Sequence, residues 1–596
     1  MLLFVCLPIF KGDHEYLTSP GRYSRSNACN PAKSASNRYV MVSCTFPLRE
    51  PPPTRQFDIL IIGGGINGVA IARQCARSGR RVMLVEQHDF ASGTTSRSTR
   101  IIHGGLRYLE YGEIGLVRES LRERERLLDQ YPHLVKPLEF LLVEPGKPRS
   151  WRRSSLAVRL ALWLYSRWAG RDRPLHSDIA TFERQLDAGH CWSIYCYEDA
   201  QCEFPERLTA EWLVESIAAG AIVRNHTRAL EIMREIGRVI GARLRDAISG
   251  EEYQVVATSI VNAAGPWADL LIGDSGIAAP RMVGGVRGSH IVLPRFSTAL
   301  EQPVYAEASD GRQIFVLPWN GQILVGTTEV ADSEPDTTQP SAAEIEYLMN
   351  GLLRLFPHSG LTKADIRYSL AGIRPLPYAP GKSYSAVPRH HILHDHVDDG
   401  ARGLISLIGG KLTTAASAAR DVARKLGVRL AEPACALTAP ILEEDLDHAL
   451  REWSLLVASK ARITPSCAQS VAEWHGRQAM AIAQTAALDS RLREPLCSHT
   501  CHIVAEAVEA VSHECAITLG DILLRRVPVA LGACWSAACS REAANRVGTA
   551  LGWDTSRIDS ELEQFEEERQ RFLHPRAEAG EDTATLSPSG RQGASS

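Results

Sequence analysis

Three glycines in GxGxxG spacing, Gly63, Gly65 and Gly68, with Glu86 closing the apolar run that follows them, are the first residues whose types and spacing suggest chemistry. Gly63 permits a tight turn, Gly65 lets the backbone approach a pyrophosphate, and Gly68 lets a helix pack closely on a strand. The helix that starts there offers free N–H groups and a positive dipole end to phosphates. An acid 18 residues after Gly68 is placed to take the ribose hydroxyls of an adenosine. A second stretch, "IIHGGLRYLEYG" (101–112), carries an imidazole (His103), a guanidinium (Arg107) and a phenol (Tyr108) among glycines behind two β-branched residues. By itself it reads as a strand end and a glycine turn with Arg107 in water, because charged side chains are usually solvated.

The elements that must hold these groups follow from the apolar pattern. "FDILIIGGGINGVAIARQCARSGRRVMLVE" reads as strand, glycine turn, helix, strand. A simple NAD domain would continue with alternating strands and helices. Here the second strand instead enters a small, hydroxyl-rich loop containing Thr94, Thr95 and Ser96. Much later, "SIVNAAGPWADLL" (259–271) and "GLISLIGGKLTTAASAARDVARKL" (403–426) again end strands in small residues, Ala264 and Gly265 in one, Gly409 and Gly410 in the other. Three glycine-marked strand ends so far apart predict one discontinuous nucleotide domain with a second domain inserted.

The chain has 596 residues, enough for more than one folding unit, and its 44% hydrophobic content is ordinary for a globular protein. A net charge of −3 gives no basic field for nucleic acid, and no nucleic-acid partner is expected. The 14 cysteines form no repeating framework, which fits a reducing compartment. Spanning a membrane takes about 18 uninterrupted apolar residues, and no window reaches that length. Residues 1–56 and 576–596 read as a disordered extension and tail. The Ser- and Arg-rich, acid-poor N-terminal stretch shares its composition with mitochondrial transit peptides, so that address is the lesser alternative to a cytoplasmic one.

The motifs "GGGINGVAIA", "SGTTSRSTRIIHGGLRYLEYGEIGLVRESLRER", "VNAAGPWAD", "GVRGSHIVLPR", "VLPW…ILVGTTE", "AGIRPL" and "LIGGKLTT", in this order, resemble the FAD-dependent glycerol-3-phosphate dehydrogenases, aerobic flavoenzymes of the D-amino-acid-oxidase-like group. The stretch "HIVAEAVEAVSHECAITLGDILLRR…LGWD" looks like that family's helical cap, so the likeness spans about residues 57–570. Where many members read "DDARL" this chain has "CEFPERLTAEWL". The resemblance implies a mixed α/β fold: an FAD-binding domain (57–112, 190–275, 375–430), an inserted β-sheet substrate domain (113–189, 276–374) and a helical domain (431–575). It implies FAD held by Gly63, Gly64, Gly65, Ile66, Asn67, Gly68, Glu86, Thr94, Thr95, Ser96, Ala264, Gly265, Gly409, Gly410, Leu412 and Thr413. The implied substrate is sn-glycerol 3-phosphate, with quinone or O2 as acceptor. Its phosphate would lie on Arg107, Arg374 and Lys411, supported by Tyr108 and Thr327, with His290 and Arg374 as catalytic groups and His103 packed beside the flavin.

Phosphate calls for Arg and Lys with hydroxyl donors, and an imidazole has the unperturbed pKa best suited to proton abstraction near neutrality. As isolated residues, His290 also fits a hydrogen-bonded core histidine, Arg374 a surface residue and Lys411 the start of a solvated helix.

Residues 147–173, "KPRSWRRSSLAVRLALWLYSRWAGRDR", hold eight Lys or Arg and one Asp, with Trp151, Leu156, Leu160, Trp163, Leu164 and Trp168 interleaved. Such a helix can lie among anionic headgroups on the inner face of the cell membrane, or pack on its own domain. "RESLRERERLLDQ" reads as a solvated helix face. "CSHTCH" (497–502), with His513 and Cys515, lacks zinc-finger spacing, and no metal is expected. A homodimer is kept as an option.

Overall fold

The computed structural model describes residues 56–109, 112–145, 155–170, 177–296, 301–382, 384, 387–431 and 446–574. The expected disordered extension (but for Gln56) and the tail lie outside these residues. Among the described residues the strands build two sheets. The first orders Ile392–Asp395, Leu404–Ile408, Glu252–Asn262, Gln56–Ile62, Val82–Val85 and Ile222–Arg224, with the hairpin Thr227–Glu235 and Arg238–Asp246 joined to Glu252–Asn262. The last five of that row are mutually parallel. Parallel strands are covered on both faces, which is why "ILII" and "VMLV" are continuous apolar runs. Helix Ile66–Arg77 lies on one face, where Val69, Ala70 and Ile71 pack with Trp212, Ala418 and Val422.

The second sheet orders Val330–Ala331, Val286–Pro294, Gln322–Gly326, Gln313–Trp319, Val304–Glu307, Val135–Pro145, Trp192–Cys202 and Ile101–Ile102, with Tyr368–Arg374 also paired to Val286–Pro294. The expected division needs two corrections. Trp192–Cys202 and Ile101–Ile102, assigned from sequence to the nucleotide half, belong to this sheet. The first pairs residue for residue with Val135–Pro145 along its whole length, and the second pairs with the end of the first. Nothing local in "HCWSIYCYEDAQ" selects a sheet; the antiparallel return of the chain does. Helices between Leu446 and Leu573 follow, and Leu519, Leu523, Trp535, Phe565 and Phe572 share one core with Phe140, Tyr197, Trp319 and Tyr368 of the second sheet.

Two charged segments are more buried than their composition suggests. Helix Ile114–Gln130, expected to be solvated, buries Glu123 and Arg124, the latter 2.8 Å from Asp199. Helix Pro205–Ala218, which carries the unusual "PERLTAEWL", buries four charges, each with a partner. Glu206 meets Arg100 (2.9 Å), Arg207 meets Glu514 (2.7 Å), Glu211 meets His133 (2.8 Å) and Glu215 meets Arg73 (2.5 Å). Buried charges persist only when paired in this way.

Candidate active site

Gly63, Glu86, Ala264–Gly265 and Gly409–Gly410 follow directly or by one residue the carboxyl ends of four neighbouring parallel strands. That edge is where open α/β sheets bind nucleotides. A cleft of about 740 Å³ runs along it, lined by Gly63, Gly65, Ile66, Asn67, Glu86, Thr94, Thr95, Ala264, Gly265, Gly409, Gly410 and Leu412. Gly63 has φ +111, and a Cβ there would strike the Ala263 carbonyl; a Cβ on Gly68 would strike the Gly63 oxygen. The Gly64 N–H donates to Glu86 Oε2 at 2.6 Å, fixing the acid across the turn. Gly65 has no side chain to cap helix Ile66–Arg77; Thr95 Oγ1 accepts the Ile66 N–H at 3.1 Å, and the helix start otherwise faces the cleft through Gly65, Ile66 and Asn67. Asn67 Oδ1 is buried without a partner among the described residues, while its Nδ2 donates to the Gly409 carbonyl at 3.3 Å. An adenosine ribose for Glu86, a pyrophosphate for the open helix end and a donor for Asn67 Oδ1 are what a dinucleotide would bring, so the residues present fit FAD.

Four expected cofactor residues stand otherwise. Gly64 and Gly68 shape the turn from behind the cleft wall. The Ser96 hydroxyl is buried on the Ser92 and Gly93 carbonyls. Thr413 faces the neighbouring cavity, where its Oγ1 accepts from the His103 N–H at 3.1 Å.

That neighbouring cavity, about 300 Å³, shares Thr94, Ser98, Pro375 and Gly409–Leu412 with the cleft. Its wall collects His103, Tyr108, His290, Thr327, Arg374 and Lys411. The second sheet assembles half of them: His290 lies on Val286–Pro294 between Gly326 and Leu370, Thr327 directly follows the neighbouring strand Gln322–Gly326, and Arg374 ends Tyr368–Arg374. Glycines make the room, because a Cβ at Gly326 would enter the His290 ring and one at Gly288 the Arg374 guanidinium. Arg374 donates to Thr327 Oγ1 at 2.7 Å and to the Thr328 carbonyl at 3.1 Å, which aims its fork. Lys411 Nζ sits 3.9 Å over the Tyr108 ring and 3.3 Å from Ser120 Oγ. The backbone of Arg107 lies in the short helix Leu106–Leu109, and its side chain is outside the described residues.

The electrostatics are those of an anion site. Burial, then the charge of nearby Arg389, pulls Arg374 down to about 10. Burial pulls Lys411 down to about 7, against the opposing pull of Glu113 and Glu119. His290 is 1% exposed; burial, then Arg374 and Arg100, pulls it to about 3, so its ring is neutral throughout the physiological range. Its Nε2 meets Thr99 Oγ1 at 3.0 Å, and its Nδ1 is buried without a partner among the described residues.

Sequence reasoning passed over four cations in this wall, Arg97, Arg100, Arg312 and Arg389. Arg389 pairs with Glu329 at 3.2 Å. Arg97 has a buried, unpartnered Nε, and its guanidinium lies 5.3 Å over the Phe572 ring. Arg97 stands inside the quoted motif "SGTTSRSTR", where the hydroxyl-rich composition read as loop; only its packing against the C-terminal helix sets it apart. Beneath the cavity, Asp199 takes hydrogen bonds from Arg124 and Tyr165, and the Tyr165 oxygen accepts the Gly104 N–H at 2.8 Å, pinning the glycine turn before Tyr108.

A nucleotide cleft opening onto a cationic pocket defines the class, and family comparison agrees. Residues 58–424 match the family model described as FAD dependent oxidoreductase, and residues 405–558 match the C-terminal domain of alpha-glycerophosphate oxidase. The chain belongs to the FAD-dependent oxidoreductase family. It is 34% identical to a glycerol-3-phosphate dehydrogenase of Synechocystis, over 87% of this chain and 97% of that one. It is 33% identical to glycerol-3-phosphate dehydrogenase 2 of Mycobacterium tuberculosis, over 86% and 88%. A solved structure of the Bacillus halodurans glycerol-3-phosphate dehydrogenase complexed with FAD shares the fold, with a TM-score of 0.68 at 24% identity over 87% of this chain and 95% of that one.

Proposed function

We propose that the protein oxidises sn-glycerol 3-phosphate to dihydroxyacetone phosphate and passes the electrons to a quinone. One observation carries the reading: Arg374, Lys411, Tyr108, Thr327 and His290, drawn from five separate segments, line one pocket that opens on the nucleotide cleft. When bound, FAD supplies the hydride acceptor. Arg374 and Lys411 hold the phosphate, with Arg107 as a third cation, and Tyr108 and Thr327 complete its acceptors. Neutral His290 takes the C2 hydroxyl proton. A phosphate dianion beside Arg374 offsets the cationic field that holds His290 down, so binding raises its basicity where the proton must be accepted. His103, which burial also keeps neutral at about 3, packs near Tyr108.

The deciding experiment is anaerobic. Purified yellow protein loses its flavin absorbance on adding sn-glycerol 3-phosphate and keeps it on adding glycerol; bleaching by both, or by neither, refutes the reading. Peroxide formed during aerobic turnover would move the acceptor from quinone to O2.

The low value of Lys411 gives a pH prediction. Its charged form grips phosphate, and that form is lost as pH rises through about 7. KM for sn-glycerol 3-phosphate therefore rises above about pH 7 while kcat stays level, and Lys411→Arg flattens the rise because a guanidinium stays charged. A KM independent of pH in the wild type removes Lys411 from the clamp.

A peripheral site on the inner face of the cell membrane fits a quinone acceptor. Helix Ser155–Ala169 buries Tyr165, yet leaves Leu156 (79%), Leu160 (56%) and Trp163 (62%) exposed along one stripe. Interfacial helices present such a face. The flanking basic residues 147–154 and 171–173 lie outside the described residues. Among those described, no helix is long and apolar enough to cross a membrane. Sedimentation with anionic vesicles, reduced in Leu160→Ser/Trp163→Ser, tests the contact; equal sedimentation of both proteins rejects it.

A further inference from the structure

Away from the flavin cleft, the helical region gathers sulfur and nitrogen ligands from two distant segments. Cys497 and His499 stand in the loop before helix Val504–His513, and Cys539 lies in the first turn of helix Ala537–Leu551. Their ligand atoms all fall within 4.8 Å of one another, and His499 Nδ1 is 3.3 Å from Cys539 Sγ. Cys534 adjoins them: its thiol is 3.8 Å from the His499 carbonyl oxygen, and the Cys539 thiol donates to the Cys534 carbonyl at 3.5 Å. The Ser498 N–H donates to Glu542 at 2.8 Å, which holds the loop against the same helix. Cys497 and Cys539 are buried while His499 and Cys534 are exposed, so the group is open to solvent on one side.

Three thiols and one imidazole form a set suited to zinc. Zn–S bonds near 2.3 Å and Zn–N bonds near 2.0–2.1 Å put tetrahedral ligand atoms about 3.5–3.8 Å apart, so shifts of about 1 Å close Cys497, His499 and Cys539 on a metal, with the exposed Cys534 thiol swinging in as the fourth ligand. The sequence reading placed His513 and Cys515 beside "CSHTCH". The structure sends them elsewhere, His513 to Glu509 at 3.1 Å and Cys515 into the nucleotide-domain core. In their place stand Cys534, 35 residues beyond His499, and Cys539, 40 beyond it.

We propose that Cys497, His499, Cys534 and Cys539 bind one Zn2+ in a closed structural site that staples the loop before Val504 to the start of helix Ala537–Leu551. Three Zn–S bonds and one Zn–N bond form, the three thiol protons pass to solvent, and no electron is transferred. The site is independent of the flavin reading, and its test reads metal rather than turnover.

Full-length protein, purified with reductant and without chelator, is expected to carry about one zinc per chain by elemental mass spectrometry. Cys497→Ser/Cys539→Ser loses it. Cys467→Ser, at a buried thiol in a separate core, keeps it. Should the double variant fail to fold, wild-type protein stripped by chelator and reloaded with Co2+ should show ligand-field bands to the red of the flavin absorption, which His499→Ala weakens. Reduced protein that neither contains nor takes up Zn2+, uptake unchanged by His499→Ala, iron in place of zinc, or a disulfide within the group each overturns the proposal.

Discussion

Arg374→Ala lowers kcat/KM for sn-glycerol 3-phosphate by about a hundred- to several-thousand-fold, the equivalent of about 3–5 kcal/mol for truncating one partner of a buried, hydrogen-bonded charge pair. The effect is large because Arg374 does two things from one position. Its fork, held by Thr327 Oγ1 at 2.7 Å, presents paired N–H donors to the pocket. Its charge also bears on His290, whose ring it helps to keep neutral. Arg374→Lys keeps the charge but loses the fork and the Thr327 alignment, so it recovers only part of the loss. Steady-state kinetics on the two variants checks this, and the FAD spectrum should stay unchanged because Arg374 is not part of the nucleotide cleft wall. A drop of less than about tenfold in Arg374→Ala would mean that the phosphate is held elsewhere.

Asp89→Ala is expected to cost about 3–5 kcal/mol of stability, the usual result of leaving a buried charge without its partner. Asp89, in the loop after Glu86, is 1% exposed and accepts from Arg526 at 2.7 and 2.9 Å, from Arg525, and from Asn225 at 2.9 Å. Removing it takes the shared carboxylate from two guanidinium groups where the helical region meets the nucleotide domain, leaving Arg525 with Asp521 and Glu568 and Arg526 with the charges of Asp521 and Glu514. Calorimetry and limited proteolysis should both show the C-terminal helices released at lower temperature; an unchanged midpoint contradicts the role. The same junction adds a pH signature. Burial opposes charging His226, but Asp521 at 3.0 Å outweighs it and lifts the imidazole to about 9 from its ordinary 6.5. A folded-state value above the unfolded one stabilises fully below about 6.5 and is lost as pH rises through about 9. The junction should therefore loosen on the alkaline side of neutrality, and His226→Gln should remove that part of the pH dependence.

The nucleotide-binding edge was legible in the residues themselves. Gly63, Gly65 and Gly68 work through the backbone of one contiguous turn, and Glu86 through the next strand end, so steric rules acting over a few residues determine them. Arg374 and Lys411 were legible through the motifs around them, but their meeting was not. Antiparallel register seats His290 between Gly326 and Leu370 and brings Arg374 beside Thr327, and register belongs to the pairing of strands rather than to either strand alone. The second sheet's claim on Trp192–Cys202 has the same origin. Charge was the least legible property. Glu123, Arg124, Glu206 and Arg207 have the composition of solvated helix faces, and only the arrival of Arg420, Asp199, Arg100 and Glu514 from distant segments makes their burial tolerable. Cys534 and Cys539 reach Cys497 and His499 by the same route. Local backbone geometry is thus written in neighbouring residues, whereas the environment of a buried charge or thiol depends on what the fold packs against it.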